Sequence, residues 1–201
     1  MGSQFFALYR QASRASGRKR VLLVLDVHRE HAESGNLFGT DGALKHFWYD
    51  IACLKLSRKH VRPIWGLEAS DEQWEEAVDQ SCLVWMMGGN PWAVTRLFSS
   101  PSKRSKLLKR LHEGTIALCT RSASSNAMGK YIGLTSHARA YGDHVWGLNI
   151  FRGNYIFPPH ASEWLYELLD YKTLEREILE DVNIREYRVQ PIPAQCALVP
   201  S

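Results

Sequence analysis

Four short apolar runs, each followed by a polar turn and a helix-like segment, constrain the fold of this chain most. The runs are VLLVLDV, VRPIWGL, CLVWMM and TIALC, beginning at residues 21, 61, 82 and 115. The first run, VLLVLDV, shows little polar alternation, which is typical of a strand that is buried on both faces. Because parallel neighbours need a crossover connection, strands that alternate with helices predict a parallel sheet with helices on both sides.

Helical patterns fill the connections between these runs. Apolar residues from about Ala43 to Ser57 recur on one stripe, which predicts a helix. Ser70 precedes an acidic first turn and is a typical N-cap. Two further helical segments follow the third run, and the second ends at Gly114, a typical C-cap residue. The order of elements predicts an α/β three-layer sandwich with a mostly parallel central sheet.

The second half of the chain is less regular. HVWGLNIF and NYIF predict strands, and the pattern from Ser162 to about Asp181 predicts a long helix. IREYRVQPI predicts a final edge strand, because prolines are confined to sheet edges. A length of 201 residues suits one domain. We therefore expect a single α/β domain over residues 1–201, with 1–19 as an N-terminal extension and 184–201 as an edge strand or tail.

Composition and cysteine usage narrow the class of protein. A hydrophobic content of 45% and a charged content of 23% are ordinary for a soluble globular protein. The net charge of +4 is too small to favour nucleic-acid binding by itself. The four cysteines form no CxxC pair and predict reduced, mostly buried thiols. No run resembles a signal peptide or a transmembrane helix, so we expect a cytoplasmic protein without membrane contact.

Two loops carry unusual chemistry where the third and fourth runs end. These loops are MGGNPW and CTRSASSN. In open parallel sheets, ligands bind beyond the carboxyl ends of the strands. A serine at a tight strand-to-helix turn can expose its hydroxyl, and the following helix offers backbone N–H groups to an oxyanion. A glycine loop beside it can donate a second N–H, because glycine lets the backbone approach closely. Ser122 is therefore the candidate nucleophile.

At these positions the chain resembles the serine peptidases of the dipeptidase E and cyanophycinase group, which share a class I glutamine-amidotransferase-like, flavodoxin-like fold. Residues 88–92 resemble the family's Gly-Gly-Asn-Thr-Phe-like loop, and residues 120–125 resemble its Gly-x-Ser-Ala-Gly-Ala turn. Residues 158–160, Pro-Pro-His, resemble the family's histidine motif. The resemblance covers roughly residues 20–165, with the three motifs in the family's order and spacing.

The resemblance implies a role for each matching residue. Ser122 would be the nucleophile, and His160 the general base that later protonates the leaving amine. Gly89 and Ala123 would supply the oxyanion N–H groups. Substrate would be bound by a further set of residues, namely Gly88, Asn90 and Arg121.

The third member of the triad has two candidates. Dipeptidase E-like members carry an acid about fifteen residues after the serine, but LTSHA lies there in this chain. Asp143 is the nearest acid downstream of that position. Cyanophycinase-like members carry a glutamate some 25 to 30 residues after the histidine, and Glu186 lies at that distance. Both acids remain open.

The resemblance implies a serine hydrolase that cleaves an amide bond of a small peptide through an acyl-enzyme. It implies no cofactor, no metal and no nucleic acid, and the fold is compatible with a homodimer. The alternative is a catalytically inactive relative that binds a ligand or a protein partner in the same cleft. A third hypothesis is a metal-dependent hydrolase that uses the His28 region.

Three other patterns have competing interpretations. Cys119 is an alternative nucleophile, but it precedes the turn and is better explained as a buried thiol. DVHREH brings together metal-ligand residue types without a metal-site spacing, so it is a candidate part of the substrate pocket. In SKRSKLLKRLH the leucines mark a buried stripe, which predicts that the basic residues form a solvated face.

Overall fold

The computed structural model describes residues 2–26, 48, 51–52, 55–86, 91–120, 123–130, 147–150, 155–156 and 188–189.

Four parallel strands form the central sheet of the described fold. They are β1 (Val21–Val24), β2 (Val61–Ile64), β3 (Leu83–Met86) and β4 (Ala117–Thr120). Their spatial order is β2-β1-β3-β4, and β1 pairs in parallel with both β2 and β3. This order is that of the flavodoxin-like doubly wound folds. The predicted α/β architecture with a parallel central sheet is confirmed.

Five α-helices with described bounds flank the sheet, and Trp48, Ile51 and Ala52 are helical as well. The five helices are α1 (Gly2–Ser16), α2 (Asp71–Asp79), α3 (Pro91–Leu97), α4 (Pro101–His112) and α5 (Ala123–Met128). The Ser70 hydroxyl accepts a hydrogen bond from the Gln73 N–H, which confirms the predicted N-cap of α2. Gly114 follows α4 with a φ of +64°, a left-handed conformation that favours glycine at a helix end. No described helix has the length and apolar character needed to span a membrane.

The two faces of the sheet carry separate hydrophobic cores. Side chains alternate between the faces along each strand, so that Leu22 and Leu23 are both buried but on opposite sides. The Leu22 side packs against α2, α3, α4 and α5. The Leu23 side packs against α1, where Tyr9 and Ala12 are buried. Helix α1, within the segment 1–19, therefore contributes to the core of a three-layer structure.

Lys103 contradicts the prediction of a wholly solvated basic face on α4. Its side chain is only 6% exposed, and its ammonium donates to the carbonyl oxygens of Gly66 and Ala69 at 2.7 and 2.6 Å. The physical reason is its position four residues before Leu107, which places it on the buried stripe of the helix.

The segment HVWGLNIF was predicted as a strand, and this is wrong for residues 147–150. These residues form irregular backbone that lies against the end of α5. Four successive N–H groups, from Gly147 to Ile150, donate to carbonyls of residues 127–130 at 2.8 to 3.1 Å. Leu148 and Ile150 are buried, but they enter the core by packing at the end of α5 and not as part of a strand.

A second, two-stranded sheet joins the predicted strands NYIF and IREYRVQPI. Here β5 (Tyr155–Ile156) pairs in parallel with β6 (Arg188–Val189). Both segments therefore contain strand residues as predicted. The predicted helix from Ser162 to Asp181 lies outside the described residues.

Candidate active site

The carboxyl edge of β3 and β4 is the place where the sequence predicts the site. The two strands are parallel neighbours, and Met86 lies opposite Thr120 at their ends. Only two residues, 121–122, separate Thr120 from the start of α5 at Ala123. Four residues, 87–90, separate Met86 from the start of α3 at Pro91. Both strand-to-helix connections therefore leave the same edge from adjacent strands.

A hydroxyl pair joins the end of β4 to the beginning of α5. Thr120 Oγ1 lies 3.0 Å from Ser125 Oγ, a hydrogen bond in which either group can donate. This bond spans the two-residue junction and restrains the direction of the helix relative to the strand. In the sequence, Ser125 is only the last residue of the turn motif at residues 120–125, and this contact was not predicted.

Ser124 occupies the position of a family glycine without adopting a glycine-like backbone. It lies inside α5 and is fully buried. Among the described non-glycine residues, only Lys55 and Asn149 have a positive φ. Ser124 therefore fits as a small side chain in the first turn of the helix, with no left-handed strain.

The far end of α5 is anchored in the core. Ala127 and Met128 are buried in the cluster that also holds Val94 and Leu97 of α3. Gly147 sits so close to the helix end that a Cβ atom there would overlap the carbonyl oxygen of Gly129. These contacts fix the helix whose first residue, Ala123, is predicted to donate an oxyanion N–H.

Asp26 holds a neighbouring loop at the same edge. Its carboxylate is 2% exposed, follows β1, and accepts N–H bonds from Gly66 and Leu67 at 2.7 and 2.8 Å. These bonds give this member of the DVHREH cluster a structural role after β2. His28, Glu30 and His31 lie outside the described residues. Among the residues that are described, no three potential metal ligands cluster together.

Cys119 lies within β4 and packs on the α1 side of the sheet. Its side chain is half-buried and contacts the cluster that contains Leu23 and Trp85. Thr120, the next residue, points to the opposite side by the alternation of the strand. Cys119 lies inside the strand, ahead of the turn, as predicted, but its side chain is half-buried and not the fully buried thiol that the sequence predicted.

Among the predicted site residues, the structure describes only Ala123, the first residue of α5. The others lie outside the described residues, and their roles stay predictions: Gly88, Gly89, Asn90, Arg121, Ser122, Asp143, His160 and Glu186. Sequence reasoning missed the loop contacts of Asp26 and Lys103. The signals that could have found them are a carboxylate directly after a buried strand and a lysine in register with a leucine stripe.

Comparison with known proteins finds solved structures of similar fold. No protein-family model matches the chain, and no curated protein matches it. A crystal structure of a candidate peptidase E protein from Listeria monocytogenes EGD-e aligns with a TM-score of 0.57 and 12% identity, over 94% of this chain and 87% of the other. A peptidase from an acI-B1 Actinobacterium aligns with a TM-score of 0.60 and 16% identity, over 94% of this chain and 73% of the other.

The chain is thus similar in fold to these two structures over nearly its whole length. This agrees with the fold that the sequence resemblance implied. At identities of 12% and 16%, the likeness is one of fold.

Proposed function

We propose that the protein is a serine hydrolase that cleaves an amide bond of a small peptide. The observation that carries the proposal is the short junction between β4 and α5, where Ser122 is one of only two residues that link the strand to the helix. The junction lies at the carboxyl edge of a parallel sheet, where α/β enzymes bind their ligands. The fold is similar to that of two structures named as peptidases, which supports the same class of reaction.

Ser122 and His160 are proposed to act as nucleophile and general base. His160 takes the hydroxyl proton as Ser122 Oγ attacks the amide carbon, and a tetrahedral oxyanion forms. The N–H groups of Gly89 and Ala123 stabilise that oxyanion. The carbon–nitrogen bond then breaks, and the histidine returns the proton to the leaving amine. Water attacks the acyl-enzyme by the same route in reverse, which releases the acid product and restores Ser122.

The remaining predicted residues are assigned to orientation and binding. Asp143 is proposed to hold the His160 ring in its productive orientation, with Glu186 as the alternative acid. Gly88, Asn90 and Arg121 are proposed to bind the peptide, since they flank the oxyanion donors in the two connections. No cofactor or metal is required for this chemistry.

Covalent labelling with a fluorophosphonate probe tests the proposal. The wild-type protein should react with the probe and should hydrolyse dipeptides. In Ser122→Ala and in His160→Gln, the rates of both reactions should fall by about 1,000-fold or more, as expected when a member of a catalytic triad is lost. Comparing Asp143→Asn with Glu186→Gln identifies the acid, because only the acid behind the histidine should lower kcat strongly.

Ser99→Ala is a matched control, since Ser99 is exposed and donates only to the Arg96 carbonyl in the described part of the chain. It should label like the wild type. Wild-type protein that binds peptides but neither labels nor hydrolyses them would overturn the proposal in favour of an inactive binding relative. Labelling that survives in Ser122→Ala would place the nucleophile elsewhere.

A further inference from the structure

A shallow basic cavity of about 520 Å³, widely open to solvent, lies at the amino edge of the sheet, opposite to the candidate active site. Its position follows from its lining residues, which lie immediately before β1 and β2 and three residues before β3. The residues that line it are Arg18, Lys19, Arg20, Lys59, His60 and Gln80. The cavity is therefore independent of the hydrolase chemistry proposed for the carboxyl edge.

The lining is almost entirely cationic. Four of its six residues carry a positive charge at neutral pH, and none of the described lining residues is acidic. Within the described part of the chain, the side chains of Arg18, Lys19 and Lys59 make no hydrogen bond or ion pair. A concentration of uncompensated cations in one concave site attracts anions and raises their local concentration.

His60 adds a donor to this lining. The Ser57 N–H donates to His60 Nδ1 at 3.2 Å, so Nδ1 acts as an acceptor. The proton of the neutral ring therefore resides on Nε2, which is left as a hydrogen-bond donor. His60 therefore offers a hydrogen-bond donor to the cavity, as the neighbouring arginine and lysine side chains do.

Gln80 supports the arginine next to it through a neutral group. Its Oε1 accepts hydrogen bonds from Arg20 Nη1 and from Arg62 Nη1. Its Nε2 donates to Glu76, which also pairs with Arg62 at 3.6 Å. The amide orients the Arg20 guanidinium without cancelling its charge, as a carboxylate in that position would do.

The backbone of residues 18–20 is held in place before any ligand arrives. The carbonyl of Arg18 accepts from Ser13 Oγ at 2.6 Å, and that of Lys19 accepts from Tyr9 Oη at 3.2 Å. The carbonyl of Arg20 accepts from the Cys82 N–H at 2.9 Å. Three consecutive basic residues therefore extend from a fixed segment, which lowers the ordering cost of binding.

We propose that this cavity binds a compact anion with two or more linked phosphate groups. Guanidinium and ammonium groups are the preferred partners of phosphate oxygens, and several of them converge here. Because the cavity is open to solvent, the convergence of its cations, and not enclosure, would hold the ligand. Inorganic polyphosphate and the phosphate chain of a nucleotide share this chemistry.

Calorimetric titration of the full chain with pyrophosphate, tripolyphosphate and a nucleoside triphosphate tests the proposal. Binding should strengthen from pyrophosphate to tripolyphosphate and weaken with added salt. Arg18→Gln and Lys59→Gln should each weaken tripolyphosphate binding about tenfold, the loss of one charge-assisted contact. A nucleoside triphosphate that binds more tightly than tripolyphosphate identifies a nucleotide, and equal binding identifies the phosphate chain; both outcomes support the site.

Lys109→Gln is the matched control, because this substitution removes the same charge from an exposed site outside the cavity. Lys109 lies on α4, and its side chain is 73% exposed. It should bind like the wild type, and thermal unfolding of all three variants should verify their folding. Equal weakening in Lys109→Gln, or no binding of any of the three anions, would overturn the proposal. A single-stranded oligonucleotide whose affinity grows with its length and exceeds that of tripolyphosphate would overturn it in favour of a nucleic acid.

Discussion

Cys82 and Tyr9 form a buried pair of acids beside the start of β1. Burial raises the pKa of the Cys82 thiol to about 11, and it raises the pKa of the Tyr9 phenol to about 12. The Cys82 thiol donates to the Arg20 carbonyl at 3.5 Å, and the Tyr9 hydroxyl donates to the Lys19 carbonyl. Both groups need their protons for these bonds, so both act as neutral donors at physiological pH.

The raised pKa of Cys82 predicts a loss of stability in mild alkali. The thiol deprotonates near pH 9 in the unfolded chain but only near 11 in the folded one. Its contribution is therefore complete below pH 9 and disappears as the pH rises towards 11, by on the order of 2 kcal/mol. Urea unfolding across this range should give a shallower decline for Cys82→Ala than for the wild type. Parallel pH dependences would contradict this origin of the effect.

The loop after β2 is held by two elements at once. Asp26, after β1, accepts the N–H groups of Gly66 and Leu67, while Lys103 on α4 donates to the carbonyls of Gly66 and Ala69. The Gly66–Leu67 peptide group is bound at both ends, since its N–H donates to the Asp26 carboxylate and its carbonyl accepts from the Lys103 ammonium. This arrangement ties α4 to the carboxyl edge of the sheet and accounts for the burial of a lysine.

Replacing Lys103 should cost far more stability than replacing an exposed lysine of the same helix. Lys103→Met keeps the stem but leaves two carbonyl oxygens without their donor, so the free energy of unfolding should fall by about 2 kcal/mol. Lys109→Met should change it by less than about 0.5 kcal/mol, as expected for an exposed site. Urea unfolding of the two variants measures the difference. Equal effects would show that the Lys103 bonds add nothing to stability.

Elements were predictable from sequence where local pattern and tertiary environment agree. The runs that became β1 and β3 are apolar throughout because both faces of those strands are buried. Ser70 was predictable as an N-cap because a cap depends only on nearby residues.

The conformation of residues 147–150 was not predictable. Their N–H groups pair with the end of α5 and not with a strand, and the periodicity of the sequence does not encode that partner. Lys103 was misread because its long stem occupies an apolar position while its charge finds carbonyls on another element.

At the scale of the whole molecule, one sheet supports two cores. Leu22 and Leu23 are adjacent in β1 and fully buried, yet they belong to different cores. Because both cores share this strand, a substitution in either core should lower the stability of the entire fold.

Leu22→Ala and Leu23→Ala should therefore destabilise the protein to a similar extent. Each leaves a cavity in a packed core, so each should lower the free energy of unfolding by about 2 to 5 kcal/mol. Urea unfolding followed by tryptophan fluorescence and by circular dichroism should give one coincident transition for both variants. A loss below about 1 kcal/mol for Leu23→Ala, or two separated transitions, would indicate that the α1 layer opens independently.

The sequence could indicate that the candidate site lies at the carboxyl edge of the sheet, but not which side chains approach one another there. The strand-to-helix junctions at residues 87–90 and 121–122 follow from local pattern, and the parallel pairing of β3 with β4 places them side by side. The partners of Ser122 are separated from it by long stretches of chain. The choice between Asp143 and Glu186 depends on three-dimensional approach, which spacing alone does not determine.

The bond between the Gly147 N–H and the Lys130 carbonyl holds these two residues together, although 16 residues lie between them in the sequence. The entropy cost of joining two points of a chain grows only with the logarithm of the number of residues between them, about 0.6 kcal/mol for each doubling. The chain can therefore change length or sequence between these two anchors at little thermodynamic cost.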